Sequence, residues 1–244
     1  MKFRIIILLL LFNIILRAKD HGTFKDKRDG NKYKWVKIGQ QTWMAENLKY
    51  LPMLSDTSQI LSTKNPNYYV YEFYGNNLDS AKASYSYSYF GVLYNWKASQ
   101  DACPSGWHLP SNNEWIELDH FIYSEHGDTI PYEKWNSSGK YLKEAGNVLD
   151  STGFWLYSSN KYEEVGFKGT DYYGFSARPG GQFGSFFHSY RFNFFDIYES
   201  GFWWTSTNET GMFSNVRSME YDRTYFRNFT RFKHNGASIR CIKD

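Results

Sequence analysis

The sequence predicts an α+β domain in which two helices pack on small antiparallel sheets with long glycine-rich loops. Three observations carry this reading. Asp29–Met44 has the turn residues and alternating apolar positions of a β-hairpin. Ser111-Asn112-Asn113-Glu114 is a capping box, followed on one helical face by Trp115, Leu118 and Ile122. Beyond Gly139 the chain breaks into short apolar segments divided by glycines, the pattern of a β-rich half with long loops.

Each element follows from its residues in chain order. Lys2 and Arg4 precede an apolar run from Ile5 to Leu16, interrupted only by Asn13. The run is shorter than the ~20 apolar residues of a membrane-spanning helix, so residues 1–18 are expected to be a signal peptide. Ala18 is the best cleavage position, although Arg17 and the large Leu16 flank it, and an uncleaved signal anchor is the alternative. No cysteine follows the run at lipobox distance, so a lipid anchor is not expected. Residues 19–28 read as a short linker and 29–244 as one domain.

Within that domain, Asp29-Gly30-Asn31 turns the chain into a strand through Tyr33, Trp35 and Ile38, and Gly39-Gln40 turns it back. From Leu51 to Ser88 the composition predicts irregular structure with short strands around Tyr68 to Phe73. Tyr85, Tyr87 and Tyr89 alternate with serines and read as a buried edge strand. A first helix is expected over Gly91 to Ala102, on Leu93, Tyr94, Ala98 and Ala102, stopping at Cys103-Pro104. The second follows the capping box and closes at Glu125-His126-Gly127. Strands are expected around Val216–Tyr221, Thr224–Lys233 and Ser238–Ile242, and Gly180-Gly181 marks a backbone path that needs glycine.

Composition narrows the function classes. Formal net charge is +3 and falls towards neutrality once Lys2 and Arg4 are removed, so nucleic acid is not an expected partner. Aromatic residues make up 20% of the chain, which points to an aromatic core. The only cysteines, Cys103 and Cys241, lie far apart in a chain expected to be exported, and a long-range disulfide is expected rather than a metal or redox site.

Motifs for catalysis are weak. The histidines include no pair at helical metal-ligand spacing, and no cofactor is implied. Gly174-Phe175-Ser176-Ala177-Arg178 begins like a nucleophile elbow but has Arg where the last glycine is required. Glu163-Glu164 and Asp196 with Glu199 are expected to be solvated carboxylates. Trp203-Trp204 could offer one sugar-stacking ring, yet neighbours on a strand face opposite ways and core packing is the favoured reading. Tyr225, Arg227, Phe229, Arg231 and Lys233 form an alternating basic-aromatic face that would suit an anionic glycan, with a solvated outer face as the favoured reading. The N-x-S/T sequences at Asn136, Asn208 and Asn228 are put down to chance.

Five blocks in order, DGNKYKWVKIGQQTWMAENL, YFGVLYNWKASQDACPSGWHLPSNNEW, GFSARPGG, GFWWTSTN and SIRCIKD, resemble the signature blocks of the Fibrobacter succinogenes major paralogous domain family. The resemblance implies an exported protein of the envelope or surface of a Gram-negative bacterium, with no reaction implied. Trp96, Ala98, Cys103, Leu109-Pro110 and Glu114 also follow the order of a helix region in the C-type lectin-like fold. That second resemblance implies that Cys103 pairs with Cys241 in the last strand, and that ligands are met by the long loops. The calcium-binding tripeptides of that fold are absent, so calcium-dependent sugar binding is not carried over.

The expected function is therefore an exported binding or interaction module without catalysis, its partner an extracellular glycan or a surface protein. Arg178, Tyr190, Arg191 and Trp204 are the candidate ligand residues, the first three by their place in the Gly153–Gly201 loop region. Alternatives are a purely structural surface component, or an enzyme resembling the formylglycine-generating variant of the fold, which would need reactive thiols.

Overall fold

The computed structural model describes residues 20–57, 62–126, 138–146, 153–156, 158–159, 164–165, 168–185 and 192–244. The described chain opens as a meander of β1 (His21–Lys25), β2 (Lys32–Ile38) and β3 (Gln41–Met44). β2 and β3 form the expected hairpin, with Trp35 opposite Met44 and Val36 opposite Trp43. β1 lies in the stretch expected to be a linker, and it pairs with β2 from His21–Val36 to Lys25–Lys32. Its pattern is faint because Phe24 is its one large apolar residue, stacked on Trp107 at 4.5 Å and on Tyr33 at 5.5 Å.

After β4 (Tyr68–Tyr69) come α1 (Leu78–Ala83) and α2 (Tyr85–Phe90). The Tyr85–Tyr89 alternation is thus helical, not an edge strand. Ser84 caps α2 by accepting from Tyr87 N at 3.2 Å, Tyr87 and Phe90 are buried one turn apart, and Gly91 ends the helix at φ 82°. The expected helix over Gly91 to Ala102 is also corrected. Its first half is β5 (Leu93–Tyr94), paired with β4, and only α3 (Trp96–Ser99) is helical. Asn95 decides the boundary: its side chain accepts from Ala98 N at 2.9 Å, which makes it the N-cap and leaves Leu93 and Tyr94 extended.

Next come β6 (Trp107–His108) and α4 (Asn112–His126), the helix expected from the capping box. Ser111 N donates to Glu114 Oε2 at 2.7 Å and Glu114 N donates to Ser111 Oγ at 3.3 Å, while Trp115, Leu118 and Ile122 are buried. Then come α5 (Ser138–Leu142), β7 (Ser158–Ser159), β8 (Glu164–Val165), β9 (Gly180–Gly184), β10 (Asn193–Ile197), β11 (Ser200–Asn208), β12 (Phe213–Glu220), β13 (Phe226–Phe232) and β14 (Ile242–Lys243). The described residues thus hold five helices instead of two, and only α4 exceeds six residues. The fold is sheet-rich α+β. No helix among the described residues is long and apolar enough to cross a membrane.

Two five-stranded sheets dominate, in the orders β1-β2-β3-β14-β6 and β10-β9-β11-β12-β13. The first is antiparallel and unites the start and end of the described chain, and in the second only β9 and β11 run parallel. Gly181 sits where they meet, at φ 63°, and a Cβ there would lie 2.3 Å from Phe195 O.

Both faces of the inner strands β3 and β11 are covered, because neighbouring side chains go to different cores. Trp43 and Trp203 pack with Trp115, Leu118, Phe175 and Ile242, whereas Met44 and Trp204 pack with Tyr33, Tyr94, Val216 and Ile239. The expected disulfide is present: Cys103, just beyond α3, joins Cys241, just before β14, across a sequence separation of 138. No free cysteine remains.

Candidate ligand-binding surface

α2 presents Tyr85 and Tyr89 on one face, four residues apart, with rings stacked at 5.5 Å and 11°. Phe154 closes on both, 4.3 Å from Tyr89 and 5.8 Å from Tyr85, and its far side stacks on Tyr198 at 6.0 Å and 27°. Tyr198 takes φ 67°, and its backbone is held from both sides: Leu156 N donates to Tyr198 O, and Tyr198 N donates to Pro179 O. Tyr85 is 55% exposed and Tyr198 38% exposed, so the outer rings face solvent.

Beneath these rings lies Arg178, a candidate residue that the structure brings to a surface cluster. The Arg178 guanidinium sits 3.9 Å over the Tyr89 ring, its Nη1 donates to Tyr89 O at 2.8 Å, and its Nε donates to Glu144 Oε1 at 3.1 Å. The Tyr89 hydroxyl also donates to Glu144 Oε1. Burial, reinforced by that bond to a carboxylate, raises the Tyr89 pKa far above its usual value, so the phenol stays a neutral donor. The pair of charges is self-compensating. Such a surface offers flat apolar rings and hydroxyls with little net charge, which suits a neutral saccharide ring better than an anion.

Of the other candidates, only Trp204 is among the described residues. Trp204 is fully buried and its Nε1 donates to Tyr94 O at 2.6 Å, so it presents nothing to a ligand. The reason is the double-sided cover of β11, which uses Trp203 and Trp204 in opposite cores. Tyr190 and Arg191 lie outside the described residues. Glu163 is likewise outside them, and Asp196 accepts from Gln182 Nε2 at 2.6 Å. The stacked surface itself escaped the sequence reading. Its signal in the sequence is the i,i+4 spacing of Tyr85 and Tyr89, with which the period of two over the same residues competes.

His108 is held on both sides by carboxylates, and it is structural. Its Nε2 meets Glu114 Oε1 and its Nδ1 meets Asp244 Oδ1, both at 2.7 Å, so neither nitrogen is left to act as a base. Burial works against its charge, but the two carboxylates outweigh burial and raise its pKa above 6.5. A raised folded pKa gives stability that is complete below pH 6.5 and lost as pH rises through the folded value. The groups are partly exposed, so the effect is expected to stay below about 1 kcal/mol. Urea midpoints of wild type and His108→Gln should differ most near pH 5.5 and converge at alkaline pH, whereas a constant gap would refute the pairing.

Among the described residues, no group of three His, Cys, Asp or Glu side chains is arranged to hold a metal. The family model of the Fibrobacter succinogenes major domain matches residues 36–243, from within β2 to the end of β14. No curated protein and no solved structure matches the chain. With the matched span covering most of its length, the chain belongs to the Fibrobacter succinogenes major domain family.

Proposed function

We propose that this protein is an exported module of the cell envelope or surface of a Gram-negative bacterium, and that it binds a neutral glycan on the Tyr85–Phe154–Tyr198 surface. The observation that carries this reading is the cluster of aromatic rings, exposed at Tyr85 and Tyr198, seated on the Arg178–Glu144 pair. Export is supported by the signal-like residues 1–18 and by a disulfide of the kind that persists in oxidising compartments. A C-type lectin-like arrangement is supported by the bond from the end of α3 to the start of β14. Binding is favoured over an enzyme of the formylglycine-generating kind because both thiols are engaged in that bond.

A glycan array probed with the exported, purified protein, with and without calcium, tests the reading. Saturable binding that is independent of calcium is expected. Tyr85→Ala should weaken it about tenfold, the loss of one stacked ring contact and its buried area. Absence of any saturable glycan would favour a purely structural surface component. Equal affinity in wild type, Tyr85→Ala and Arg178→Ala would move the site elsewhere.

A further inference from the structure

The basic-aromatic stretch at β13 contains three cations, and two of them are answered within the protein. Arg227 Nη1 donates to Glu220 Oε1 at 3.0 Å. Lys233 Nζ donates to the carbonyl oxygens of Glu209 and Gly211 at 3.0 Å each and lies 4.7 Å over Trp96. Arg231 differs. Its guanidinium rests 4.4 Å from the Phe229 ring and 5.1 Å from Phe202, its Nε is buried, and none of its N–H groups donates to a described residue. Asp196, whose charge acts on Arg231 most strongly, is turned to Gln182 Nε2. Burial lowers the Arg231 pKa from its ordinary value, the sign of a desolvated cation without a bonded counter-charge.

A cavity of about 60 Å³ lies beside this group, lined also by Gln182, Ser185, Thr230 and Asn235. Asn235 is 6% exposed, and its Oδ1 is buried without a donor. Arg231 and Asn235 thus line the same space, and each holds a buried polar atom without a partner, Nε and Oδ1. The space admits roughly four waters, or one carboxylate with its neighbouring hydroxyl.

The geometry points to a binding site for the carboxylate of a small hydroxy acid, with Arg231 donating to the carboxylate and Asn235 Oδ1 accepting from the adjacent hydroxyl. A guanidinium matches a planar carboxylate in shape. One unpaired cation with Asp196 close by suits a single negative charge better than a doubly charged phosphate. An acidic monosaccharide and a free hydroxy acid share this chemistry. The site is independent of the stacked surface of α2, which is built around a charge pair that is already neutral.

The test is titration of the purified protein with glucuronate, lactate, glucose and inorganic phosphate, followed through the Arg231 Nε–H resonance and by calorimetry. Glucuronate is expected to shift that resonance saturably, while glucose and phosphate leave it in place. If lactate shifts it equally, the source is any hydroxy acid, and if glucuronate binds tighter, the source is an acidic sugar. Arg231→Gln should weaken binding at least tenfold, and Arg227→Gln should change it less than twofold. The proposal is overturned if neither acid moves the Arg231 resonance, if glucose or phosphate moves it as much as the acids, or if Arg231→Gln binds like wild type. Should Arg231→Gln fail to fold, the wild-type resonance decides alone.

Discussion

Cys103→Ser is expected to lower the stability of the oxidised protein by up to about 5 kcal/mol and to leave the reduced protein nearly unchanged. The bond joins residues separated by 138 positions, so its removal frees a very long loop in the unfolded chain. It also ties the segment after α3 to the entry of β14, the strand that holds β3 and β6 together. Denaturation midpoints with and without a thiol reductant read the effect directly, and Cys241→Ser should match Cys103→Ser. Equal losses under both conditions would mean that the serine, not the missing bond, does the damage.

Arg240→Ala is expected to cost about 3–5 kcal/mol. Arg240 is fully buried, and its side chain joins distant segments. Nη1 donates to Phe175 O, while Nη2 donates to Asn47 Oδ1 at 2.8 Å and to Ser176 O at 3.2 Å. Asn47 Oδ1 also accepts from Trp203 Nε1 at 2.9 Å, so the guanidinium links the strap after β3 and the 175–176 segment to β11. Burial, with Arg178 adding to it, pulls the Arg240 pKa down to about 9, which leaves it charged at neutral pH. Truncation to alanine leaves a cavity and strips three oxygen atoms of a donor. Arg240→Met, which refills much of the volume, should recover part of the loss but not the hydrogen bonds. Urea unfolding decides: a loss below about 1 kcal/mol for Arg240→Ala would show that water replaces the guanidinium there.

Much of the frame could be read from residues whose signals are local. The hairpin of β2 and β3 follows from its turns and alternation, and α4 from the reciprocal bonds of Ser111 and Glu114. The elements that were misread had two periodicities in competition. In Tyr85–Tyr89 a period of two overlies an i,i+4 pair, and the Ser84 cap resolves it towards the helix. In Gly91–Ala102 the helical spacing is present, but Leu93 and Tyr94 are claimed by β4 and by a bridge from Tyr94 to Ala237, both distant in sequence. β1 carries almost no pattern of its own and exists because β2 offers it an edge.

The sites divide along the same line. Arg178 could be nominated from its loop, but its partners Tyr89 and Glu144 come from segments 89 and 34 residues away. Arg231 looked like one of several equivalent surface cations until the acceptors of Arg227 and Lys233 were in view.

The sequence by itself determined the family, the α+β class, the capped helix α4 and the pairing of the only two cysteines, because each rests on local chemistry or on a choice with a single solution. Tertiary structure alone decided which aromatic rings are core and which are surface, and which arginines are answered, because burial and hydrogen-bond partners are set by segments that meet only after folding.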